Sequence, residues 1–253
     1  MHTLTQHDSR PKRATASRRN DRRGDTYAKP RTELIHPATL HELIDDLRSV
    51  VPEQQARLVA SSRLWYVGNP SLLRRKCVAI VGTREVSQEG AARSRRLARE
   101  LVGAGVVVIS GLAKGVDTEA LTAAMEAGGS VVAVIGTPVD RAYPAENKAL
   151  QERIYQDHLL VSQFAPGERV FPSNFPERNK LMAALTDATV IIEAGDTSGT
   201  LHQAAECVRL GRWLFIAKNL IDNPTLQWPK RFLHEPICKP LTSTNDVLAA
   251  IAA

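Results

Sequence analysis

Glycine, hydroxyl and cationic residues are grouped at four places in this chain, and each group has the composition of a phosphate-binding loop. Glycine lets a ligand approach the backbone closely, hydroxyl and N–H groups donate hydrogen bonds to phosphate oxygens, and lysine or arginine adds a compensating charge. For an isolated group of this kind, an ordinary surface turn with solvated charges is the alternative. The groups are Gly82, Thr83 and Arg84; Ser110, Gly111 and Lys114; Arg178, Asn179 and Lys180; and Ser198, Gly199 and Thr200.

The segments around these groups alternate between two patterns. Short apolar runs rich in β-branched residues predict buried strands, and longer amphipathic segments predict helices. Such alternation indicates an α/β fold: a doubly wound, mostly parallel, Rossmann-like sheet with helices on both faces. The predicted strands are 77–82, 106–110, 131–135, 159–162, 189–193 and 213–217, and the predicted helices are about 87–103, 116–128, 145–157, 177–186 and 199–210.

Parallel strands place their carboxyl ends at one edge of the sheet, where helix N-termini present free N–H groups and a positive dipole end. The helix that begins near Ser87, after the first of these strands, is one such anion-binding terminus. The four groups are therefore predicted to converge on one electropositive cleft. Tyr143 and Phe175 offer flat faces for a base, although Tyr143 packed against the sheet rim is an equal alternative. Asp117 is expected to cap the helix around it.

The charge divides the chain into a basic arm and a neutral remainder. Residues 1–31 hold nine basic and three acidic residues, which accounts for the whole net charge of +6. The arm has almost no large apolar residues, so residues 1–32 are expected to be disordered and either to bind polyanions or to act as a solubilising leader. Residues 33–63 are expected to form a short helical extension in which Thr39 caps a helix, and residues 64–253 the Rossmann-like domain.

Two edges of the predicted domain have weaker patterns. A short strand is expected from residue 64, ended by the turn at 68–70. After Ala217, four prolines predict loops, followed by a helix over 245–252 with Thr244 as its cap.

The composition argues against several classes of protein. The sequence has no run of about 18 apolar residues and no signal-peptide core, and its three cysteines are scattered, as in a cytoplasmic protein without disulfides or a zinc site. Neither a Gly-x-Gly-x-x-Gly motif nor a Walker A lysine is present. No membrane association, metal or cofactor is therefore expected.

Residues 64–216 resemble the DprA/Smf family of single-stranded DNA binders. The matching pieces follow the family's order at compatible spacings, and the ordered set is more specific than any one piece. The resemblance implies a homodimer that binds and protects single-stranded DNA, delivers it to RecA during natural transformation, and lines its DNA pocket with the twelve residues of the four groups. The pieces are residues 65–69, 78–84, 110–117, 143–147, 175–180, 198–201 and 211–212.

Several positions depart from the family's pattern. Leu121 stands where the family usually has histidine, Gln163 where it has glutamate, and Lys180 where it has arginine. The segment after Ala217 is remodelled, the N-terminal helical domain is reduced, and the C-terminal winged-helix domain of many members is not expected. A divergent paralogue on a mobile element or in a defence locus fits the same pattern, so the biological process stays open.

Two rival functions use the same scaffold. The Lonely-guy family of nucleoside phosphate phosphoribohydrolases has a glutamate where Gln203 stands here, and general acid–base cleavage lacks its proton carrier without it. Glu206, one turn further, and His202 are the available substitutes, although His202 is more typical of a helix surface. A sensor that binds a small nucleotide is the second rival. The sequence favours a non-enzymatic DNA binder over both.

Overall fold

Nine strands form one sheet in the computed structural model, which describes residues 27–44 and 63–252. Their order across the sheet is β1-β2-β6-β5-β4-β3-β7-β8-β9, and every neighbouring pair from β6 to β9 is parallel, whereas β1 and β2 run antiparallel to their neighbours. The strands are β1 (His36–Thr39), β2 (Arg63–Gly68), β3 (Cys77–Gly82), β4 (Val107–Ser110), β5 (Val131–Ile135), β6 (Leu159–Ser162), β7 (Ala188–Glu193), β8 (Trp213–Ala217) and β9 (Cys238–Leu241).

The α-helices connect the strands and cover both faces of the sheet. They are α1 (Leu40–Leu43), α2 (Gln88–Gly103), α3 (Val116–Glu126), α4 (Lys148–Asp157), α5 (Asn174–Ala184), α6 (Thr200–Arg209), α7 (Lys218–Ile221), α8 (Trp228–Phe232) and α9 (Thr244–Ala252).

Each central strand is buried on both faces, which is why the strands appear in the sequence as continuous apolar runs. Along β3, Cys77, Ala79 and Val81 join one hydrophobic cluster with α5, α6 and α8. Val78 and Ile80 point the other way, into a second cluster with α2, α3, α4 and α9. This arrangement confirms the predicted doubly wound α/β fold.

The direction of winding reverses between β3 and β7. From β3 the chain adds β4, β5 and β6 on one side, and it then returns through α5 to place β7 on the other side of β3. In open parallel sheets, the crevice between the carboxyl ends of two such strands is where ligands bind. The fold therefore places its natural binding position between the ends of β3 and β7.

The six predicted strands are confirmed to within a residue or so, and the structure adds elements that the sequence pattern does not show. Thr39 caps α1 with a reciprocal capping box to Glu42, but the residues before it form β1, so the extension is not wholly helical. The segment after Ala217 contains α7, α8 and β9 rather than loops alone. Thr244 is the first residue of α9, and the Asp246 carboxylate accepts the N–H groups of Thr242 and Ser243.

The last residues of the predicted arm, from Tyr27 onward, pack against the folded domain. The Tyr27 hydroxyl donates to the Val139 carbonyl (3.0 Å) and accepts from the Gln151 side chain (2.8 Å). The Ala28 N–H donates to the Glu152 carboxylate (2.7 Å), and its carbonyl accepts from the Tyr155 hydroxyl. The prediction of disorder up to residue 32 is therefore wrong for this stretch, whereas residues 1–26 lie outside the described range, as do residues 45–62.

Strand β9 forms one edge of the sheet. Its Cys238 N–H donates to the Glu235 carbonyl (2.9 Å), and Pro240 has no N–H to donate. The Lys239 ammonium lies 4.8 Å from the centre of the Trp213 ring on the neighbouring strand. Across residues 27–44 and 63–252, no helix is both long and apolar enough to cross a lipid bilayer.

Candidate functional site

A cavity of about 440 Å³ lies at the reversal point between β3 and β7; we call it the main cavity. It is walled by the loop after β3, the loop after β7 and the first half of α5. Eight of the twelve predicted site residues line it: Gly82, Thr83, Arg84, Arg178, Asn179, Ser198, Gly199 and Thr200. The predicted convergence of three of the four groups is therefore present in the structure.

Gly82 is required where β3 ends. A Cβ at this position would lie 2.6 Å from the Val116 side chain and 2.7 Å from the Glu193 carbonyl oxygen, closer than real Cβ contacts. The next residue is fixed on both sides, because the Thr83 N–H donates to the Glu193 carbonyl (2.7 Å) and its own carbonyl accepts from the Val116 N–H (3.2 Å). The close approach that glycine permits thus locks the loop that carries Arg84.

The loop after β7 is tied to the same place. Ser198 Oγ accepts from the Thr200 N–H (3.2 Å) and donates to the Thr200 hydroxyl (3.0 Å), which in turn donates to the Gly82 carbonyl (3.4 Å). The Asn179 side chain donates to the Gly199 carbonyl (3.1 Å). Asn179 therefore positions the hydroxyl loop, and that loop faces the end of β3 at the N-terminus of α6.

The N-terminus of α2 is already occupied by an acidic side chain. The Ser87 hydroxyl and N–H both donate to the Glu193 carboxylate, at 2.8 and 3.3 Å. A carboxylate at a helix N-terminus satisfies the free donors that a phosphate would use. At the helix that begins near Ser87, the place expected for a phosphate is thus held by Glu193, whereas Arg84 and the 198–200 loop face the main cavity.

Arg84 is the exposed cation of the site. Its guanidinium lies 5.8 Å from the centre of the Phe175 ring, and no carboxylate within the described residues lies within 4.0 Å of it. It lines both the main cavity and a second one of about 60 Å³, the small cavity, which also contacts Lys114, Tyr143 and Phe175. Arg84 thus stands between the two cavities with its donors uncommitted to a counter-charge.

Arg178 lines both cavities, but the residue is only 6% exposed and is hydrogen-bonded to the protein around it. Its Nη1 donates to the carbonyls of Gly111 and Val134, the latter at 2.8 Å, and its Nε donates to the Asn179 side chain (2.8 Å). Most of its hydrogen-bonding capacity is therefore spent on the protein itself.

Asp117 is the buried acidic partner of this arrangement. Its carboxylate accepts from the N–H groups of Gly111 (3.1 Å) and Ala113 (3.2 Å). Burial raises the pKa of the Asp117 carboxyl, and the Arg178 guanidinium and these N–H groups oppose that shift by stabilising the charged form. The side chain thus organises the preceding loop, a structural role as expected, although it holds that loop rather than capping its own helix.

The remaining predicted residues lie away from the main cavity. The Ser110 hydroxyl is fully buried and donates to the Ile80 carbonyl (2.7 Å), which joins β4 to β3. Gly111 and Lys114 line the small cavity, where Lys114 is paired with Glu146. Lys180 lines neither cavity and is paired with Glu177 at 2.7 Å. For Ser110 and Lys180 the predicted position at the cleft is therefore not what the structure shows.

Two aromatic rings complete the surface beside Arg84. The rings of Tyr143 and Phe175 lie 5.3 Å apart between centres, and Tyr143 is 46% exposed. Tyr143 therefore packs against Phe175 and also leaves part of its ring exposed to solvent. Packing and an open face for a base, the two interpretations of this residue from the sequence, are thus compatible. Phe175 precedes Arg178 by three residues on α5, so both side chains lie on the same side of the helix. One sequence motif therefore supplies both the ring beside Arg84 and the guanidinium that bonds to the strand ends.

Of the residues considered for glycosidic cleavage, Gln203 lines the main cavity, and Glu206 and His202 do not. Gln203 is buried and donates to the Thr189 hydroxyl (3.0 Å). The Glu206 carboxylate accepts from the Arg209 guanidinium and does not line the main cavity, and His202 is exposed on the surface of α6. Among the described residues, the carboxyl side chains that do line the cavity are Glu85 and Asp117. No three His, Cys, Asp or Glu side chains in that part of the chain are grouped as metal ligands.

Fold and site together define a doubly wound α/β protein with a cleft at the sheet reversal. There Arg84, which has no carboxylate partner within the described residues, lies beside the half-buried Phe175 ring and near the exposed Tyr143 ring. The sequence model of the family described as DNA recombination-mediator protein A matches residues 52–252. The chain therefore belongs to this family, the DprA/Smf family.

Known relatives agree with this assignment. The chain is 40% identical over 187 residues to the DNA processing protein DprA of Streptococcus pneumoniae. The aligned region covers 74% of this chain and 65% of that protein. It is 32% identical over 176 residues to the protein Smf of Synechocystis, covering 70% and 44%. The chain thus spans less than two thirds of the length of these two curated relatives.

Solved structures show the same fold. The X-ray structure of Streptococcus pneumoniae DprA superposes with a TM-score of 0.72 at 35% identity, covering 85% of this chain and 74% of that one. DNA processing protein A from Helicobacter pylori gives a TM-score of 0.69 at 24% identity, covering 86% and 96%, which supports the fold.

Proposed function

We propose that this chain binds single-stranded DNA along the carboxyl edge of its sheet. The observation that carries the proposal is Arg84, an exposed guanidinium without a carboxylate partner among the described residues, placed between the two cavities and beside the Phe175 ring. A phosphate at this position would take a bidentate pair from Arg84 and hydrogen bonds from the hydroxyl loop at 198–200. The family's DNA-processing role supports a DNA ligand.

The neighbouring rings favour a single strand over a duplex. Proteins that bind single-stranded nucleic acid combine a cationic groove with aromatic faces on which unpaired bases stack. The exposed face of Tyr143 lies next to the arginine that would hold the adjoining phosphate. The structure of the Helicobacter pylori relative concerns a single-stranded DNA binding mode, which agrees with this proposal.

The proposed role is non-covalent. Phosphate and base contacts would shelter the strand without making or breaking a bond, and the carboxylates of Asp117 and Glu206 accept hydrogen bonds from the protein itself. From family membership we further propose that the protein acts as a homodimer in the cytoplasm and passes the strand to RecA. Natural transformation, other recombination and defence are all compatible with this chemistry.

The test is a set of binding titrations on the full chain by fluorescence anisotropy. The probes are labelled oligo-dT, the matching duplex, the matching RNA and a labelled mononucleotide, each at 50 and 200 mM salt. We expect oligo-dT to bind more tightly than the duplex, with an affinity that falls as salt rises. Binding of the mononucleotide without binding of oligo-dT would replace the proposal with a nucleotide sensor. Release of free base from a nucleoside monophosphate, measured by chromatography, would replace it with an enzyme.

A further inference from the structure

The loop between β6 and α5, residues 163–173, lies at the same edge of the sheet as the site and is held by internal hydrogen bonds. The Ala165 N–H donates to the Glu168 carboxylate (2.8 Å), and the Glu168 N–H donates back to the Ala165 carbonyl (3.0 Å). The Gly167 N–H donates to the carboxylate of Asp140 (3.0 Å), in the loop after β5. These bonds fix the loop against its neighbour, so whatever it presents to solvent is presented in a set position.

What the loop presents is an aromatic ring with a cation over it. Phe171 is 47% exposed, and the Arg169 guanidinium lies 5.3 Å from the centre of its ring. Ordinary core packing does not explain this ring, because half of it faces water. A guanidinium stacked on an aromatic face is held ready for a further planar or anionic group.

The exposed apolar side chains of the described residues share a pattern. There are three large ones, Leu34, Tyr143 and Phe171, exposed by 47%, 46% and 47%. The two aromatic members both lie on loops at the carboxyl edge, and both have an arginine nearby. Tyr143 contacts the Phe175 ring, which lies beside Arg84, and Phe171 lies directly under the Arg169 guanidinium. Leu34 lies elsewhere, in the single 3₁₀ turn before β1. Exposed aromatic rings thus coincide with the edge that carries the site.

The spacing along the edge suits a polymer. The loop with Arg84 follows β3, and the loop with Phe171 follows β6, three strands away in the sheet order. At about 4.8 Å between strands, the two strand ends are roughly 14 Å apart. The Tyr143 loop follows β5 and lies between them. Phe171 itself lies three residues before the start of α5 and four residues before Phe175, the ring beside Arg84.

We propose that Arg169 and Phe171 form a second base-stacking platform, which receives a nucleotide further along the strand from the phosphate held at Arg84. Phe171 stacks the base, and Arg169 pairs with the adjoining phosphate. This inference rests on the proposed function, because a single-stranded polymer must already lie in the main cavity. It predicts that affinity depends on oligonucleotide length, with a rise when the strand first reaches Phe171.

The experiment is a length series, dT3 to dT20, titrated against the parent protein and the Phe171→Ala variant. We expect Phe171→Ala to bind the long oligonucleotides about ten- to hundredfold more weakly and the shortest ones as the parent does. Phe171→Tyr keeps a stacking face and is expected to retain the affinity for long strands. Leu34→Ala is the matched control, since Leu34 is equally exposed but away from this edge.

The outcomes separate the two proposals. A parent protein that binds oligo-dT while Phe171→Ala binds every length equally well would overturn the platform and leave the main site standing. A parent that binds no oligonucleotide would overturn both. An equal loss at all lengths in Phe171→Ala would place Phe171 within the primary site and also contradict a separate platform. Thermal unfolding of each variant verifies that the fold is retained.

Discussion

Nη1 of Arg178, on α5, donates a hydrogen bond of 2.8 Å to the carbonyl oxygen of Val134, near the end of β5. The same nitrogen also donates to the Gly111 carbonyl after β4. One guanidinium therefore joins a helix on one face of the sheet to two strand ends at its carboxyl edge. The cation that the sequence presents as a phosphate ligand serves as an internal brace for the loops around the cleft.

The first prediction concerns this brace. Arg178→Ala leaves the carbonyls of Gly111 and Val134 without this donor and the buried Asp117 carboxylate without its neighbouring cation, so we expect a loss of about 1–3 kcal/mol in the free energy of unfolding. Adding Asp117→Asn removes the uncompensated charge and is expected to restore part of that loss. Urea denaturation followed by circular dichroism measures both. A midpoint for Arg178→Ala equal to that of the parent would show that the guanidinium is not structural.

The second prediction concerns Arg84. Because its charge is unpaired among the described residues, Arg84→Ala should weaken oligo-dT binding at least about tenfold and leave thermal stability unchanged. Removing one phosphate contact should also lower the slope of log K against log salt by about 0.7. Lys180→Ala is the control, since Lys180 is paired with Glu177 outside both cavities and its loss should change affinity by no more than about twofold. Equal effects of the two variants would contradict the site.

The third prediction concerns the basic arm. Residues 1–26 hold seven basic and three acidic residues, and deletion from residue 1 to residue 26 spares the contacts of Tyr27 and Ala28. The truncated protein should still bind oligo-dT but with a smaller salt slope, since fewer counterions are released. Anisotropy titrations at four salt concentrations measure the slope. Complete loss of binding would identify the arm as the binder, and an unchanged slope would identify it as a leader.

The fourth prediction concerns the cysteines. Burial raises the pKa of the thiols of Cys77, Cys207 and Cys238 to about 12, and all three side chains are at most 6% exposed. Only the thiolate is nucleophilic, so at pH 8 a disulfide reagent should label none of them in the folded protein and all three in denaturant. Absorbance of the released thiolate counts the labelled groups. Rapid labelling of the native protein at this pH would show that one of these thiols is accessible.

The central strands could be predicted because each is an apolar run buried on both faces, as in residues 77–82 and 213–217. Strand β1 escaped prediction because it is four residues long, at the rim of the sheet, with no buried side chain to create a pattern. Strand β9 contains Pro240, which favours a loop when the neighbouring strand is unknown. Edge elements therefore depend on contacts with the rest of the sheet, which local sequence does not encode.

In the candidate site, too, some features could be predicted from local sequence and others depend on tertiary contacts. Glycine positions such as Gly82 follow from the need for close backbone approach, and the structure places that residue where a side chain would collide with β7 and α3. The cations are harder to assign, because Arg84 and Arg178 look equivalent in the sequence. Whether a guanidinium faces solvent or backbone carbonyls is decided by the side from which α5 crosses the strand ends, and that is a property of the assembled fold.

The edge formed by β9 constrains how two copies of this chain can associate. Backbone groups two residues apart point the same way, so the N–H of Cys238 and the position of Pro240 face the same side. The first is already bonded to Glu235, and the second has no hydrogen to give. A strand from another subunit placed beside β9 would meet free carbonyl oxygens but no free N–H group. A continuous intermolecular β-ladder therefore cannot form at this edge. Any self-association near β9 must rely on side chains such as Lys239, which would leave each sheet separate.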